Sequence, residues 1–413
     1  MDQIAKFFTL YWIIYFPTCI AFNDLPGFSS IDEAMTGLIV VYALFKRGHW
    51  STTHYVWREY FMFIGIIAFY TVYGLMYGRN PNGVWLDFIQ EIRPYSVIYC
   101  TWILNPQFSE RQKKWMLGSM VATLFVWIYT HADELGGGAA ENPVIGQLAI
   151  CCGMAWYLFR DESLKTSYIA LALVCTGMLA PKFKFLGELV CFVTLLFVIK
   201  KKIDFNNPKI VAGIVLMIAA VIYVTWTKFD AYFVAGAEED LARPATYRTA
   251  FGKILWDYFP FGPGMGTFAC NGAWKYYSPL YHEYKLDHIW GLDRGGGFIC
   301  DAYYPSLVQF GVVGVGLFLA FWRKRFNEIR EIMDMRYYRI ALLTLFCLII
   351  EQTADSSLLS GKGMGYCMII GLCLCSNIND PDLDDEDDED DEDDLEPLPD
   401  EVKITPNFCH DDK

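Results

Sequence analysis

Two arginines, Arg243 and Arg248, stand in the segment Ala242-Arg243-Pro244-Ala245-Thr246-Tyr247-Arg248. A guanidinium is always charged and donates through a planar fork matched to phosphate oxygens, so this pair suits a diphosphate. A helix-like stretch over 249–258 follows and ends in Phe259-Pro260-Phe261-Gly262-Pro263-Gly264-Met265-Gly266-Thr267-Phe268. Gly262, Gly264 and Gly266 permit close backbone approach and unusual dihedrals. No Gly-Lys-Ser/Thr follows the turn and no strand precedes it, which excludes a phosphate loop and a dinucleotide fingerprint. The plainer reading is a tight turn after a surface helix. Proton removal from a hydroxyl needs a carboxylate or imidazole within reach. Asp301, His282, His288, Asp287 and Glu239 are the available groups, with Asp301 first because it lies at the mouth of an apolar segment. No Cys-x-x-Cys pair and no His-Glu-x-x-His occurs, so a zinc site has no support. Cys270 and Cys300 lie in or beside the same region, where an oxidising compartment could join them. Most other cysteines, Cys151 and Cys152 among them, fall inside apolar segments and act as small apolar side chains.

The elements that must hold these groups are not those of a water-soluble protein. Of 413 residues, 54% are hydrophobic, 17% aromatic and only 19% charged, against roughly 45–50% apolar and about 25% charged in soluble domains. The formal net charge of −14 is misleading, because much of the acid sits between Asp380 and Asp400. A hydrocarbon core of roughly 30 Å is crossed by about 20 apolar residues in a helix. Twelve candidate windows occur, at 4–22, 31–46, 59–77, 91–105, 115–131, 143–159, 166–180, 185–199, 209–227, 302–322, 338–354 and 361–376. The predicted fold class is an all-α polytopic membrane protein of about 12 spans, with a membrane domain over 1–378 and an acidic, disordered cytoplasmic tail over 379–413.

Basic residues set the orientation. With a cytoplasmic N-terminus, the inside links hold Lys46, Arg47, Arg58, Arg111, Lys113, Lys114, Arg160, Lys165, Lys200 to Lys202, and the cluster from Arg323 to Arg339. The short outside links hold only Arg79, Arg93, Lys182, Lys184 and Lys362. Both termini are therefore expected in the cytoplasm. One outside link, about 228–301, is far longer than the rest and rich in Tyr, Trp and Phe. A long ordered loop is usually functional, and the active surface is expected there. Interfacial anchoring is the simpler explanation of any single one of its aromatics. Charges near spans are costly and often functional, which brings Arg93, Lys182 and Lys184 forward, although long basic side chains also snorkel to the interface. Glu351 and Asp355, at the outer end of the eleventh window, are expected to pair with a basic group or shape a groove.

The order of an arginine, a helix, the turn FPFGPGMGTF, an aromatic loop and a span opening DAYYPSLVQFGVVGVGLF resembles the O-antigen ligase and repeat-unit polymerase family of bacterial envelopes. Glu141 to Trp156, ENPVIGQLAICCGMAW, is similar to that family's Asn-Pro opening of a central span, and Lys182 stands where members often carry an arginine. Arg248, fifteen intervening residues and Gly264 match the Arg-x15-Gly spacing of the polymerase branch. The resemblance implies a GT-C-like glycosyltransferase bundle in the inner (plasma) membrane that uses a polyprenyl (undecaprenyl) diphosphate-linked glycan as donor, with no cofactor and no metal. Its partners would be the donor, a glycan acceptor, the bilayer, and flippase and chain-length regulator proteins, with no nucleic acid. Arg243, Arg248, Lys182 and Arg93 would hold the diphosphate, and Asp301, His282 or His288 would serve the acceptor. Ligase members carry a histidine where this chain has Asp301, which puts the polymerase reading ahead of ligation to a lipid or protein acceptor. A flippase or transporter is the competing class. It predicts paired halves with interrupted helices, and no internal repeat is evident.

Overall fold

The computed structural model describes residues 2–22, 25, 30–46, 53–134, 143–199, 201–203, 207–230 and 241–378. The chain divides into Met1–Ile378 and Asn379–Lys413, and the second unit, the expected acidic tail, lies outside the described residues. Glu239 lies outside them too. The described residues are helical, with no strand among them.

A helix covers each of the twelve apolar windows. In chain order these are α1 (Asp2–Tyr15, continued as a π-helix to Ala21), α2 (Ile31–Phe45), α3 (His54–Tyr77), α4 (Val84–Leu104), α5 (Glu110–Thr130) and α6 (Pro143–Phe159). Next come α7 (Leu164–Cys175), α8 (Phe183–Val193, continued to Val198) and α9 (Pro208–Phe229). Short helices occupy the long link: α10 (Ala242–Thr249, continued to Ile254), α11 (Leu255–Asp257), α12 (Asn271–Tyr276) and α13 (Leu280–Glu283). The chain then forms α14 (Tyr303–Ser306), α15 (Gly311–Glu331), α16 (Met335–Glu351) and α17 (Gly361–Ile378). Among the described residues, four helical segments are long and apolar enough to cross a membrane: Gln3–Ala21, His54–Tyr77, Ile210–Thr227 and Tyr303–Glu331. Others are shorter or carry charge; α6 has 17 residues, and α4 carries Asp87, Glu91 and Arg93.

Polar residues define several ends. Ser109 and Gln112 form a reciprocal capping box at the start of α5, Ser163 accepts from the Thr166 amide at α7, and Asp334 accepts from the Arg336 amide at α16. Each satisfies an amide that the first turn leaves without a helical partner. α4 lies in the middle, packed on α2, α3 and α17, and its Val97 to Leu104 stretch is wholly buried. α17 approaches it closely because a side chain at Gly371 would meet the Ile98 carbonyl oxygen at 2.8 Å. Two helices run past their windows for a readable reason. α4 begins seven residues before window 91–105, because Asp87 and Glu91 are buried against Gln309 and Tyr303. α15 continues to Glu331, because Arg325 reaches Glu59 of α3 at 2.5 Å and stacks among Tyr99, Trp102 and Phe321.

The long link has a core of its own, formed by Ile254, Phe268, Leu280, Tyr281, Leu286, Ile289, Leu292 and Ile299 with Val308. Cys270 and Cys300 are both free thiols, which corrects the disulfide considered from sequence. The Cys270 sulfur instead accepts from the Ala273 amide as the cap of α12.

Candidate functional site

The glycine turn seats this loop on the membrane helices. Gly262, Gly264 and Gly266 have φ of +81°, +101° and +82°, values that side-chain-bearing residues rarely adopt. Each also lies against backbone: an added Cβ would fall 2.4 Å from the Gln309 oxygen, 2.7 Å from Gly78 Cα and 2.6 Å from the Gly83 carbonyl carbon respectively. The Gly264 amide donates to the Gln309 carbonyl at 3.1 Å, and the Gly266 amide donates to Gln309 Oε1 at 2.8 Å. Gln309 Nε2 in turn donates to buried Asp87 of α4 at 2.8 Å. Asn80 Nδ2 donates to the Gly266 and Gly272 carbonyls, and Tyr73 donates to the Gly262 carbonyl. The Gly264 and Gly266 amides are thus spent on docking, and this turn is a clamp rather than a phosphate cradle.

Docked in this way, the loop places α10 against the links on either side of α14 and α16. Arg243 Nε donates to Asp301 Oδ2, and Arg243 Nη2 donates to the Ala354 carbonyl at 3.3 Å. Tyr247, one turn further along α10, donates to the Thr353 carbonyl at 2.9 Å. Arg243 and Asp301 are mostly buried, with side chains 18% and 23% exposed. Beside them Lys184, at the start of α8, pairs with Glu351 at 2.5 Å and Asp355 at 2.6 Å. Ser357 Oγ donates to Glu351, and Ser356 Oγ donates to the Cys300 carbonyl. The expectation that Glu351 and Asp355 meet a basic group is met by Lys184.

Burial pushes the Asp301 carboxyl above the usual carboxylate value; Arg243 pulls it back, and Asp355 adds to the rise. Burial alone would also raise Asp355, but Lys184 and Lys362 outweigh it and hold that carboxyl below its usual value. Two acids with opposite shifts thus sit beside one another.

The sequence candidates do not all converge on this point. Arg243 and Arg248 are separated by five residues of continuous helix, about 140° around the axis at 3.6 residues per turn, and Arg248 is exposed. Arg93 pairs with Asp32 at 2.6 Å and Glu33 at 2.8 Å and donates to the Leu359 carbonyl. It therefore ties α2 and α4 to the 352–360 link that carries Thr353, Ala354 and Asp355. Lys182 lines a crevice with Lys184, Gln147, Glu188 and Glu351. His282 pairs with Asp287 at 2.6 Å on the exposed face of the loop, where the hydrogen bond from His282 lowers the Asp287 carboxyl. His288 is exposed as well. Lys184 and Tyr247 emerge as site residues that sequence reasoning undervalued. A signal for Lys184 was available, since a lysine beside a span faces Glu351 and Asp355 beside another.

An apolar groove of about 230 Å³ runs between α3, α4 and the α14–α15 segment, lined by Phe63, Ile66, Tyr95, Leu307, Leu317 and Phe318 among others. One end is marked by Glu59 with Lys324 and Arg325. Tyr303, also in its lining, donates to Glu91 at 3.1 Å. Tyr303 is two residues along the chain from Asp301. No group of acids, histidines and cysteines suited to a metal ion occurs among the described residues. No protein-family model matches the chain, and no curated protein matches it.

Proposed function

We propose that the chain is a membrane glycosyltransferase that polymerises polyprenyl diphosphate-linked oligosaccharide repeat units into a surface polysaccharide. The reaction would take place at the outer face of the inner membrane, on a twelve-span, GT-C-like bundle. The observation that carries this reading is the apolar groove lined by Tyr303, which stands two residues along the chain from Asp301 of the Arg243–Asp301 pair. A hydrocarbon tail fits between membrane helices, whereas its charged head needs cations where the helices stop.

This reading assigns a group to each step. Breaking the bond between an anomeric carbon and a diphosphate leaves negative charge on the departing oxygen. Fixed cationic donors in a partly dry site stabilise that charge most, and Arg243 and Lys184 are such donors. The acceptor hydroxyl must lose a proton as it attacks. Asp301 is the base of this reading, since a carboxyl raised by burial is better matched to that task than an ordinary one. Arg93 acts at a distance, by holding the 352–360 link.

The test is made in source cells that lack the chain and carry a variant instead, with membrane amounts matched. Arg243→Ala and Asp301→Asn are expected to abolish the long-chain glycan ladder and leave a single repeat. Arg248→Ala, on the exposed face, is expected to keep most of it. A normal ladder from Arg243→Ala removes the assignment. Finished polymer on the carrier with an undecorated acceptor would instead assign ligation.

A further inference from the structure

We infer that Trp290 is a stacking platform for a sugar ring of the glycan that occupies the Arg243–Asp301 site. This deepens the proposed function and rests on it. Trp290 is the most exposed tryptophan of the loop, at 81%. It is held out on an ordered frame, since its neighbours Ile289 and Leu292 are buried at 5% and 0%. Tyr277 donates to the Leu292 carbonyl at 3.1 Å, and the 290–298 turn is closed by the Phe298 amide donating to the Gly291 carbonyl at 3.0 Å. The turn folds the indole onto Phe298, ring centroids 5.4 Å apart, and Phe298 itself lies 5.9 Å beneath the Arg243 guanidinium. Trp290 is thus one ring removed from the proposed reacting centre.

Burying a large apolar side chain is worth about 1.5–3 kcal/mol, so a fixed backbone that leaves an indole uncovered by the rest of the chain forgoes that gain. The C–H face of a pyranose is apolar and flat enough to cover such a ring, while its hydroxyls need hydrogen-bond partners at the rim. Exposed His288, Asp293 and Arg294 lie within four residues of Trp290 along the chain. A membrane-interface anchor would need only an amphipathic ring at the right depth; it would not need a second ring linking it to an ion pair.

The experiment measures binding rather than turnover. The full chain in lipid nanodiscs is titrated with oligosaccharides released by partial acid hydrolysis of the source cell's surface polysaccharide. Trp290→Ala is expected to weaken binding about tenfold, the size of one good aromatic contact. Trp290→Phe should restore it to within about threefold, and Trp290→Leu should not. Unchanged binding by Trp290→Ala overturns the proposal, and so does recovery with Leu equal to that with Phe, since stacking requires the ring. In either case Arg243→Ala still tests the transfer reading separately: it should abolish the glycan ladder even where Trp290→Ala leaves binding and ladder intact.

Discussion

Replacing Lys184 by methionine tests whether the polar cluster at the start of α8 and the end of α16 is held by charge. The lysine is nearly isosteric with methionine, so little packing is lost, but two partners are stranded. Glu351 is 1% exposed and keeps its hydrogen bonds with Ser357 and buried Glu188, whereas Asp355 is 34% exposed and can turn to water. Stranding one member of a buried pair typically costs 3–5 kcal/mol, nearly all of it here from Glu351. The surface pair Lys113–Glu110, with side chains 27% and 71% exposed, is the internal control, and Lys113→Ala should cost less than about 1 kcal/mol. Adding Glu351→Met to Lys184→Met should recover most of the loss, because removing both charges also removes the desolvation they carry. The readout is the fraction of each purified variant that remains monodisperse on gel filtration after graded heating. The pH arm follows from Asp355. Its carboxyl is lowered in the fold, so it contributes stability above the unfolded value of about 3.9 and loses it as pH falls through the folded value. The single variant should show a smaller acid-dependent loss, since Lys362 still lowers the Asp355 carboxyl. If Lys184→Met tolerates heat as well as Lys113→Ala, charge pairing is not what holds the cluster and the reasoning fails.

Other expectations follow from single contacts. Gly264→Ala forces a side chain onto φ +101° and into Gly78 Cα at 2.7 Å, so the loop should undock at a cost of at least about 1–3 kcal/mol. Faster protease cleavage within 242–301 reports it, while Gly252→Ala, which meets nothing within 4 Å, should leave cleavage unchanged. If Asp301 is the base, transfer activity should fall on the acid side at a pH above about 3.9, since its carboxyl is raised and must be ionised to accept a proton. The same raised value makes its stability contribution present at low pH and lost as pH rises through the folded value. An acid limb at or below 3.9 would place the base elsewhere. Arg93→Leu leaves Asp32 and Glu33 facing each other and frees the Leu359 carbonyl. Its glycan ladder should shrink, and added Asp32→Asn should restore part of it; a normal ladder in the single variant denies Arg93 a positioning role.

Among the described residues, the all-helical character, the positions of the helices over the twelve windows and the place of the long aromatic link were readable from the sequence alone. Hydropathy and glycine content are local, and so are the amide and dihedral demands they answer. The ends of α4 and α15 were not readable in that way. Asp87, Glu91 and Arg325 look like residues that stop an apolar helix, and Gln309, Tyr303 and Glu59, each more than 200 residues away, help make them tolerable inside one. The same holds for the site. Residue type singled out Arg243 and Asp301, and the tertiary contacts brought them together. Arg248, equally suited by type, lies about 140° around the helix on an exposed face. A side chain's chemistry belongs to its residue, but its partner is chosen by which helices pack side by side. That choice is made by burial summed over the whole bundle, which no window of sequence contains.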